Sequence, residues 1–262
     1  MTSSARSLPP PELRIIGVIG LPEVRPGNDL AAMIANAAQA QGTPLAGGDV
    51  VVITQKIVSK AEGRVIPLAG ITPSAFAEKV AKEFQKDARL VELVLRESRR
   101  IVRMERGVII TETLHGFVCA NAGIDLSNLE ETDTAALLPA DSDRSSAAIR
   151  AALLRHTRHN VSVIISDTFG RPWREGCTNI AIGCSGIAPL VDYRGQHDPA
   201  GNLLRVTVMA IADELASATE PVMGKLDRIP VAIVRGYRPP DGVANDGTAQ
   251  EIVRKPDTDM FR

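Results

Sequence analysis

The stretch "VIISDTFGRPWREGCTN", residues 163–179, decides how the middle of this chain folds. An apolar, β-branched run ends at Asp167, and a turn follows that carries Arg171, Arg174 and Glu175. This pattern predicts a strand that opens into a turn. An aspartate at such a point either caps the turn or presents its carboxylate to a charged ligand. From this stretch alone, a turn residue is the favoured interpretation of Asp167, and other segments of the sequence are needed to choose between the two roles.

The same strand signal recurs along the chain, between segments of helical periodicity. Short β-branched runs bounded by Gly, Pro or Asp predict strands at residues 14–20, 49–54, 107–111, 161–166, 179–183 and 229–236. Apolar residues at i, i+3 and i+4 predict helices at residues 28–42, 73–87, 145–157 and 207–220. Since strands and helices do not alternate one for one, we expect an α+β fold with mixed or antiparallel sheets and flanking helices.

Length and composition bound the class of protein. The 262 residues carry a formal net charge of -1, which gives no reason to expect nucleic acid or an anionic membrane as partner. No apolar run approaches the roughly 20 residues that span a bilayer. Three cysteines without zinc-site spacing predict free thiols in a reducing cytoplasm.

The domain organisation follows from two polar segments. Residues 1–12 are rich in Pro and Ser and predict a disordered lead, which leaves residues 13–262 as the folded domain. Residues 127–146 are polar and rich in turn formers, and they predict a long surface loop or a hinge between two subdomains.

The sequence contains no P-loop, G-x-G-x-x-G, H-E-x-x-H or G-x-S-x-G motif. Candidate functional residues are therefore sought outside these common nucleotide-binding and hydrolase motifs. Asp125, Asp167 and Thr168 each stand where an extended segment opens into a loop, and their oxygens are of the kind that Mg²⁺ or Mn²⁺ prefers. Lys56 and Lys60 are four residues apart and project from one side of a helix or turn, where they either bind phosphates or form a solvent-exposed basic face.

Seven ordered segments together resemble one family, the coenzyme F420-0:L-glutamate ligases, over residues 15–262. They are "GLPEVRPGNDL", "GDVVVITQKIVSKAEGR", "CANAGIDLSN", "VIISDTFGRPWREGCTN", "DYRGQHDPAGNLL", "PVMGKLDRIPVAIVRG" and "DMFR". The resemblance implies a GTP-dependent ligase that joins the α-amine of L-glutamate to the lactyl carboxylate of F420-0 through an acyl phosphate. It also implies further γ-linked glutamates, the F420 ligase-type fold and an intertwined homodimer.

The resemblance also assigns residues. Asp125, Asp167 and Thr168 become ligands of Mg²⁺ or Mn²⁺, and K⁺ is a further cofactor to consider. The GTP site is then formed by Gly20, Leu21, Pro22, Glu23, Gln55, Lys56, Lys60, Asn128, Met223, Gly224, Lys225, Leu226, Asp227, Arg228, Ile229 and Pro230.

Lys225 departs from the family pattern, because archaeal members tend to have a glutamine there that is credited with holding a second metal. Either Thr168, water and phosphate hold that metal, or the lysine supplies the positive charge instead. Arg171, Arg174 and Lys225 are the candidate catalytic residues, and the two arginines suit the F420-0 phosphodiester, the glutamate carboxylates or Glu175 equally well. Two other functions stay open: a non-catalytic deazaflavin or nucleotide carrier, and a metal-dependent phosphohydrolase.

Overall fold

A computed structural model describes residues 10–127, 129 and 132–260, and it consists of short strands and six helices of more than one turn within those ranges. The strands are β1 (Arg14–Gly17), β2 (Val50–Thr54), β3 (Val65–Pro67), β4 (Ser98–Glu105), β5 (Val108–Thr113), β6 (Val118–Ala120), β7 (Thr134–Ala136), β8 (Ser162–Arg171), β9 (Arg174–Ser185), β10 (Val191–Asp192), β11 (Val208–Met209) and β12 (Val231–Arg235). The helices are α1 (Leu30–Ala40), α2 (Gln55–Ala61), α3 (Ala75–Phe84), α4 (Ala88–Arg96), α5 (Ser142–Thr157) and α6 (Ile211–Met223).

The central element is a five-stranded sheet in the order β1-β12-β2-β8-β9. Strands β2 and β8 run parallel, whereas the other neighbours are antiparallel. Apolar side chains of α1 and α5 pack on one face of the sheet, and those of α6 pack on the other. Both faces of β2 and β12 are therefore buried, which explains why their sequences are continuous apolar runs and do not alternate.

A smaller layer lies beside this sheet. It contains the three-stranded antiparallel sheet β4-β5-β6, on which α3 and α4 pack, and the two-stranded pair β3-β7. The predicted α+β class with mixed and antiparallel sheets and flanking helices is thereby confirmed. All six predicted strands and all four predicted helices form, with shifted ends.

The polar segment 127–146 differs from its prediction. Residues Thr134–Ala136 form β7, which pairs antiparallel with β3 and is fully buried. Helix α5 then begins at Ser142, with the Asp141 carboxylate accepting a hydrogen bond from the Arg144 N–H. A long surface loop is therefore wrong for the second half of this segment, whose burial comes from pairing with β3 and not from its own composition.

Two further predictions fall partly beyond the described residues. Most of the disordered lead, residues 1–9, lies outside them, as does the end of the "DMFR" segment. The hinge between subdomains stays a prediction. Among the described residues, no helix has the length and apolarity that crossing a membrane requires.

Candidate active site

The candidate site is a cleft of about 670 Å³ at one edge of the central sheet. Parallel pairing aligns β2 with β8 so that Thr54, the last residue of β2, stands opposite Ser166, and β8 continues beyond this point to Arg171. The predicted turn directly after Asp167 is therefore wrong, because this part of the chain stays extended and pairs with β9. Antiparallel β12 begins at this edge, where the Thr54 N–H donates to the Pro230 carbonyl. Ligands of open α/β sheets bind beyond the carboxyl ends of parallel strands, and this cleft has that position.

Asp125 reaches the cleft because β7 holds its backbone. The Asp125 N–H donates to the Ala136 carbonyl at 3.0 Å, and the Ala136 N–H donates back at 2.9 Å. The carboxylate is fixed from both sides: Oδ1 accepts from the Ser127 N–H at 2.7 Å, and Oδ2 lies 2.6 Å from Lys56 Nζ. The short strand that composition does not predict thus positions one of the two acidic residues.

The Lys56 ammonium group contacts Asp125 and Ser127. It donates to the Ser127 carbonyl at 2.6 Å and to the Ser127 hydroxyl at 2.9 Å, in addition to its ion pair with Asp125. An ammonium has three N–H donors, so these three contacts use all of them. Burial raises the pKa of Asp125, but hydrogen bonds from Lys56 and Ser127 outweigh it and hold that pKa below its ordinary value.

Asp167 differs from Asp125, because its carboxylate forms no ion pair within the described part of the chain. Its Oδ1 accepts a hydrogen bond from the Thr168 N–H at 2.8 Å. Burial raises the pKa of Asp167 to about 7, and the negative charge of Asp125 adds to the rise, against the opposing effects of the Thr168 N–H, Lys225 and Lys56. Near neutral pH this carboxyl group is therefore only partly ionised, and a cation that binds there has to displace the proton.

The donor set of the cleft fits a divalent cation bound together with phosphate. Mg²⁺ in nucleotide sites commonly takes one or two carboxylates, and substrate phosphates and water complete its coordination. Asp125, Asp167 and Thr168 supply two carboxylates and one hydroxyl at the same edge. Among the described residues no group of three or more His, Cys, Asp or Glu side chains forms a metal cage.

Charged side chains of both signs line the rest of the cleft. Lys225 Nζ donates to Thr168 Oγ1 at 3.0 Å, and Lys60 forms an ion pair with Glu23. Both lysines line the cleft, together with Glu23, Glu220 and Arg228. A polyanion that binds together with a divalent cation suits this arrangement.

Residues 18–236, which span the entire lining of this cleft, match the F420-0:Gamma-glutamyl ligase family. The chain belongs to the F420-0:gamma-glutamyl ligase family. It is 44% identical over 251 residues to a coenzyme F420:L-glutamate ligase of Methanothermobacter thermautotrophicus, covering 95% of this chain and 99% of that protein. Proteins of the same name from Methanopyrus kandleri and Methanocaldococcus jannaschii are 45% and 42% identical, each covering 96% of this chain and 98% of the relative.

The residues that the family resemblance assigns to GTP converge on the cleft in most cases. All of them line it except Gly20 and Asp227, which lie outside the lining, and Asn128, which is outside the described residues. The structure brings these residues together with Asp125, Asp167 and Thr168. Their roles remain those that the family resemblance predicts.

The candidate catalytic arginines lie elsewhere. Arg171 and Arg174 are a cross-strand pair at the exposed tip of the β8-β9 hairpin, beyond the cleft lining. Trp173 between them is 82% exposed. In this family member Lys225 is thus the one candidate catalytic residue, among the three predicted, that the described structure places in the cleft.

Asn179 and Glu220 are among the polar residues of the cleft that sequence reasoning missed. Asn179 is the last residue of the quoted stretch and pairs across the hairpin with Thr168. Glu220 lies in the last turn of α6, just before Pro221, and no local motif marks it. Only the pairing of β8 with β9 and the packing of α6 on β9 bring them to Thr168.

Proposed function

We propose that this protein is a GTP-dependent ligase that joins the α-amine of L-glutamate to the lactyl carboxylate of F420-0. Membership of the family supports a role in coenzyme F420 biosynthesis, since relatives that match nearly the whole chain are named coenzyme F420:L-glutamate ligases. The observation that carries the proposal is the meeting of Asp125, Asp167 and Thr168 with three lysines at one sheet edge, within the matched region.

The chemistry explains why a nucleotide is needed. A carboxylate does not react with an amine at neutral pH, because its oxygen is a poor leaving group. In the proposed reaction a lactyl carboxylate oxygen attacks the γ-phosphorus of GTP, the bond to GDP breaks, and an acyl phosphate forms. The glutamate amine then attacks the acyl carbon, phosphate leaves, and the amine loses a proton to solvent. Catalysis of such transfers is chiefly positioning and charge neutralisation.

The side chains of the cleft fit these tasks. Asp125, Asp167 and Thr168 would hold Mg²⁺ or Mn²⁺, which supplies neutralisation of phosphate charge when bound. Lys60, which is paired with Glu23, and Lys225 line the same cleft and would offset the negative charge of the phosphates. Lys56 keeps the Asp125 carboxylate in place through the contacts that occupy its three donors.

Three finer features belong to the same proposal. The product accepts further glutamates through γ-linkages, K⁺ serves as an additional cofactor, and two copies of the chain form a homodimer with the F420 ligase-type fold. Each is separately measurable, by product mass, by replacing K⁺ with Na⁺, and by light scattering after size-exclusion chromatography.

The decisive experiment incubates the protein with F420-0, L-glutamate, Mn²⁺ and either GTP or ATP, and follows product mass and GDP release. We expect the mass of F420-0 to rise by one or more glutamyl residues with GTP only. Asp167→Asn should abolish turnover, because a neutral amide binds a divalent cation poorly. Asp213→Asn is the matched control: Asp213 is also largely buried, its Oδ1 accepts one backbone hydrogen bond, from Ala181, and it lies outside the cleft.

The outcomes separate the alternatives. GTP hydrolysis that ignores glutamate and F420-0 would replace the ligase with a phosphohydrolase. Binding of F420-0 or GTP without any turnover, equal in the wild type and in Asp167→Asn, would replace it with a carrier. Equal loss of activity in Asp167→Asn and Asp213→Asn would remove the cleft from the proposal.

A further inference from the structure

A row of hydrogen bonds runs along the wall of the cleft through Thr168. Thr168 Oγ1 lies 2.8 Å from Asn179 Oδ1, and Asn179 Nδ2 lies 2.8 Å from Glu220 Oε2. Lys225 Nζ donates to the same threonine oxygen at 3.0 Å. Four side chains from β8, β9, α6 and the segment after α6 thus meet in one row.

The identity of the groups fixes the direction of every bond in this row. An ionised carboxylate only accepts, so the Asn179 atom that faces Glu220 must be the amide nitrogen. The amide oxygen then faces Thr168, and because it too only accepts, the Thr168 hydroxyl must donate to it. The hydroxyl proton is therefore directed at Asn179, and the Lys225 ammonium donates to a remaining lone pair of Thr168 Oγ1.

Packing keeps the row in register. Asn179 is 3% exposed and stands directly opposite Thr168 in the β8-β9 ladder. Ser217 of α6 donates to the Asn179 backbone carbonyl at 2.7 Å, which ties the helix that carries Glu220 to the strand that carries Asn179. Neither the amide nor the hydroxyl has room to turn without losing a partner.

We propose that Asn179 and Glu220 are positioning residues that turn Thr168 into an obligate acceptor toward the cleft. A hydroxyl held in this way offers only lone pairs, so it favours a cation and disfavours a bare phosphate oxygen at the same point. This inference rests on the proposed function for the cation it names, a divalent metal, and it extends that function to two residues that do not touch the metal. Partners that orient a metal ligand in this way typically change metal affinity by about 10- to 100-fold.

The test measures Mn²⁺ binding to nucleotide-free protein, by the electron paramagnetic resonance signal of free Mn²⁺. Asn179→Leu removes the acceptor without changing net charge, and we expect it to weaken Mn²⁺ binding at least about tenfold. The double variant Asn179→Asp with Glu220→Gln also keeps the net charge, and it restores an acceptor toward Thr168 with a donor behind it. Its affinity should return to within about threefold of the wild type.

Ser217→Ala is the matched control for packing, because it removes a hydrogen bond to Asn179 but leaves the row intact. It should bind Mn²⁺ as the wild type does. Wild-type affinity in Asn179→Leu, or equal weakening in Ser217→Ala, would overturn the positioning role. If Asn179→Leu does not fold, a second pair of variants serves instead. Glu220→Met and Glu220→Gln have the same net charge, but only the glutamine keeps an acceptor for the Asn179 amide. Equal Mn²⁺ affinities in this pair would also overturn the positioning role.

The same measurements keep the two proposals apart. A wild type that binds Mn²⁺ with this ranking of variants but makes no glutamyl product would overturn the ligase and support the positioning role. A wild type that makes product while Asn179→Leu keeps full Mn²⁺ affinity would overturn the positioning role alone. A wild type that binds no Mn²⁺ would overturn the positioning role and the metal site together.

Discussion

Replacing Asp167 with Asn should make the metal-free protein more stable at neutral pH while removing its activity. The pKa of Asp167 is raised from 3.8 to about 7, chiefly by burial. Between these values the unfolded chain has released the proton and the folded chain retains it, so the free energy of unfolding falls as the pH rises. The asparagine variant has no such group, and its Oδ1 can still accept the Thr168 N–H.

The magnitude follows from the two pKa values. The difference between 3.8 and about 7, at about 1.4 kcal/mol per pH unit, is about 4 kcal/mol above pH 7. Solvent at the open side of the cleft reduces this, and we expect a gain of about 2 to 4 kcal/mol at pH 8, or about 5 to 10 °C in Tm. At pH 4.5 the gain should fall to about 1 kcal/mol or less, because the folded state then keeps its proton and the pH lies less than one unit above the unfolded pKa of 3.8.

The assay is urea unfolding and a thermal melt at pH 4.5, 6 and 8 in the presence of a chelator. Asp125→Asn is the matched variant of opposite sign: the pKa of Asp125 is lowered, so this carboxylate stabilises the fold above its ordinary pKa and its loss should destabilise the protein at pH 8. Added Mn²⁺ should raise the Tm of the wild type and not that of Asp167→Asn. A less stable Asp167→Asn at pH 8, or a gain independent of pH, would refute the reasoning.

Two other predictions concern charge and thiols. Lys56→Met leaves the half-buried Asp125 carboxylate without its ammonium partner, and it should reduce the free energy of unfolding, measured in urea at pH 7, by about 1 to 3 kcal/mol. Lys79→Met, on the exposed side of α3, is the control and should change this free energy by less than about 0.5 kcal/mol. Equal effects of the two substitutions would contradict the ion-pair argument. In the native protein at pH 8, one thiol should react rapidly with Ellman's reagent, that of the exposed Cys177. Cys119 and Cys184 should react slowly, because burial raises the pKa of each to about 12. Two or three rapidly reacting thiols would contradict the burial of these residues.

The fold could be predicted as far as local pattern determines it. The runs "DVVVIT" and "VSVIIS" are apolar on both faces, and this predicts buried strands from sequence alone. Their parallel pairing is not a local property, and it is what places Thr54 opposite Ser166 and opens the cleft beyond them. Sequence reasoning missed strand β4 for two reasons. Three arginines and a glutamate hide its apolar alternation, and two irregularities in its register with β5 break the pattern further.

The site was predictable where a residue type signals its chemistry. Asp125 and Asp167 are carboxylates beside predicted extended runs, and the resemblance to the family assigned both of them to one site. The strand end expected at Asp167 was wrong, because β8 continues to Arg171. Glu220 lies 41 residues from Asn179 in sequence, and only the docking of α6 on β9 brings them to 2.8 Å. A residue that acts by orienting another carries no motif, because its partner is chosen by tertiary contact.

The two aspartates divide the electrostatic work of the cleft. Asp125 is neutralised within the fold by Lys56, so its carboxylate is held ready at little cost in stability. Asp167 is partly buried and has no ion-pair partner among the described residues, so near neutral pH the free protein carries either a proton there or a charge that Lys225 and Lys56 offset only in part. A cation that binds at Asp167 relieves this penalty, and its affinity should therefore rise with pH as the competing proton leaves. The same missing counter-ion that lowers the stability of the free protein is what makes this carboxylate the stronger anchor for a metal.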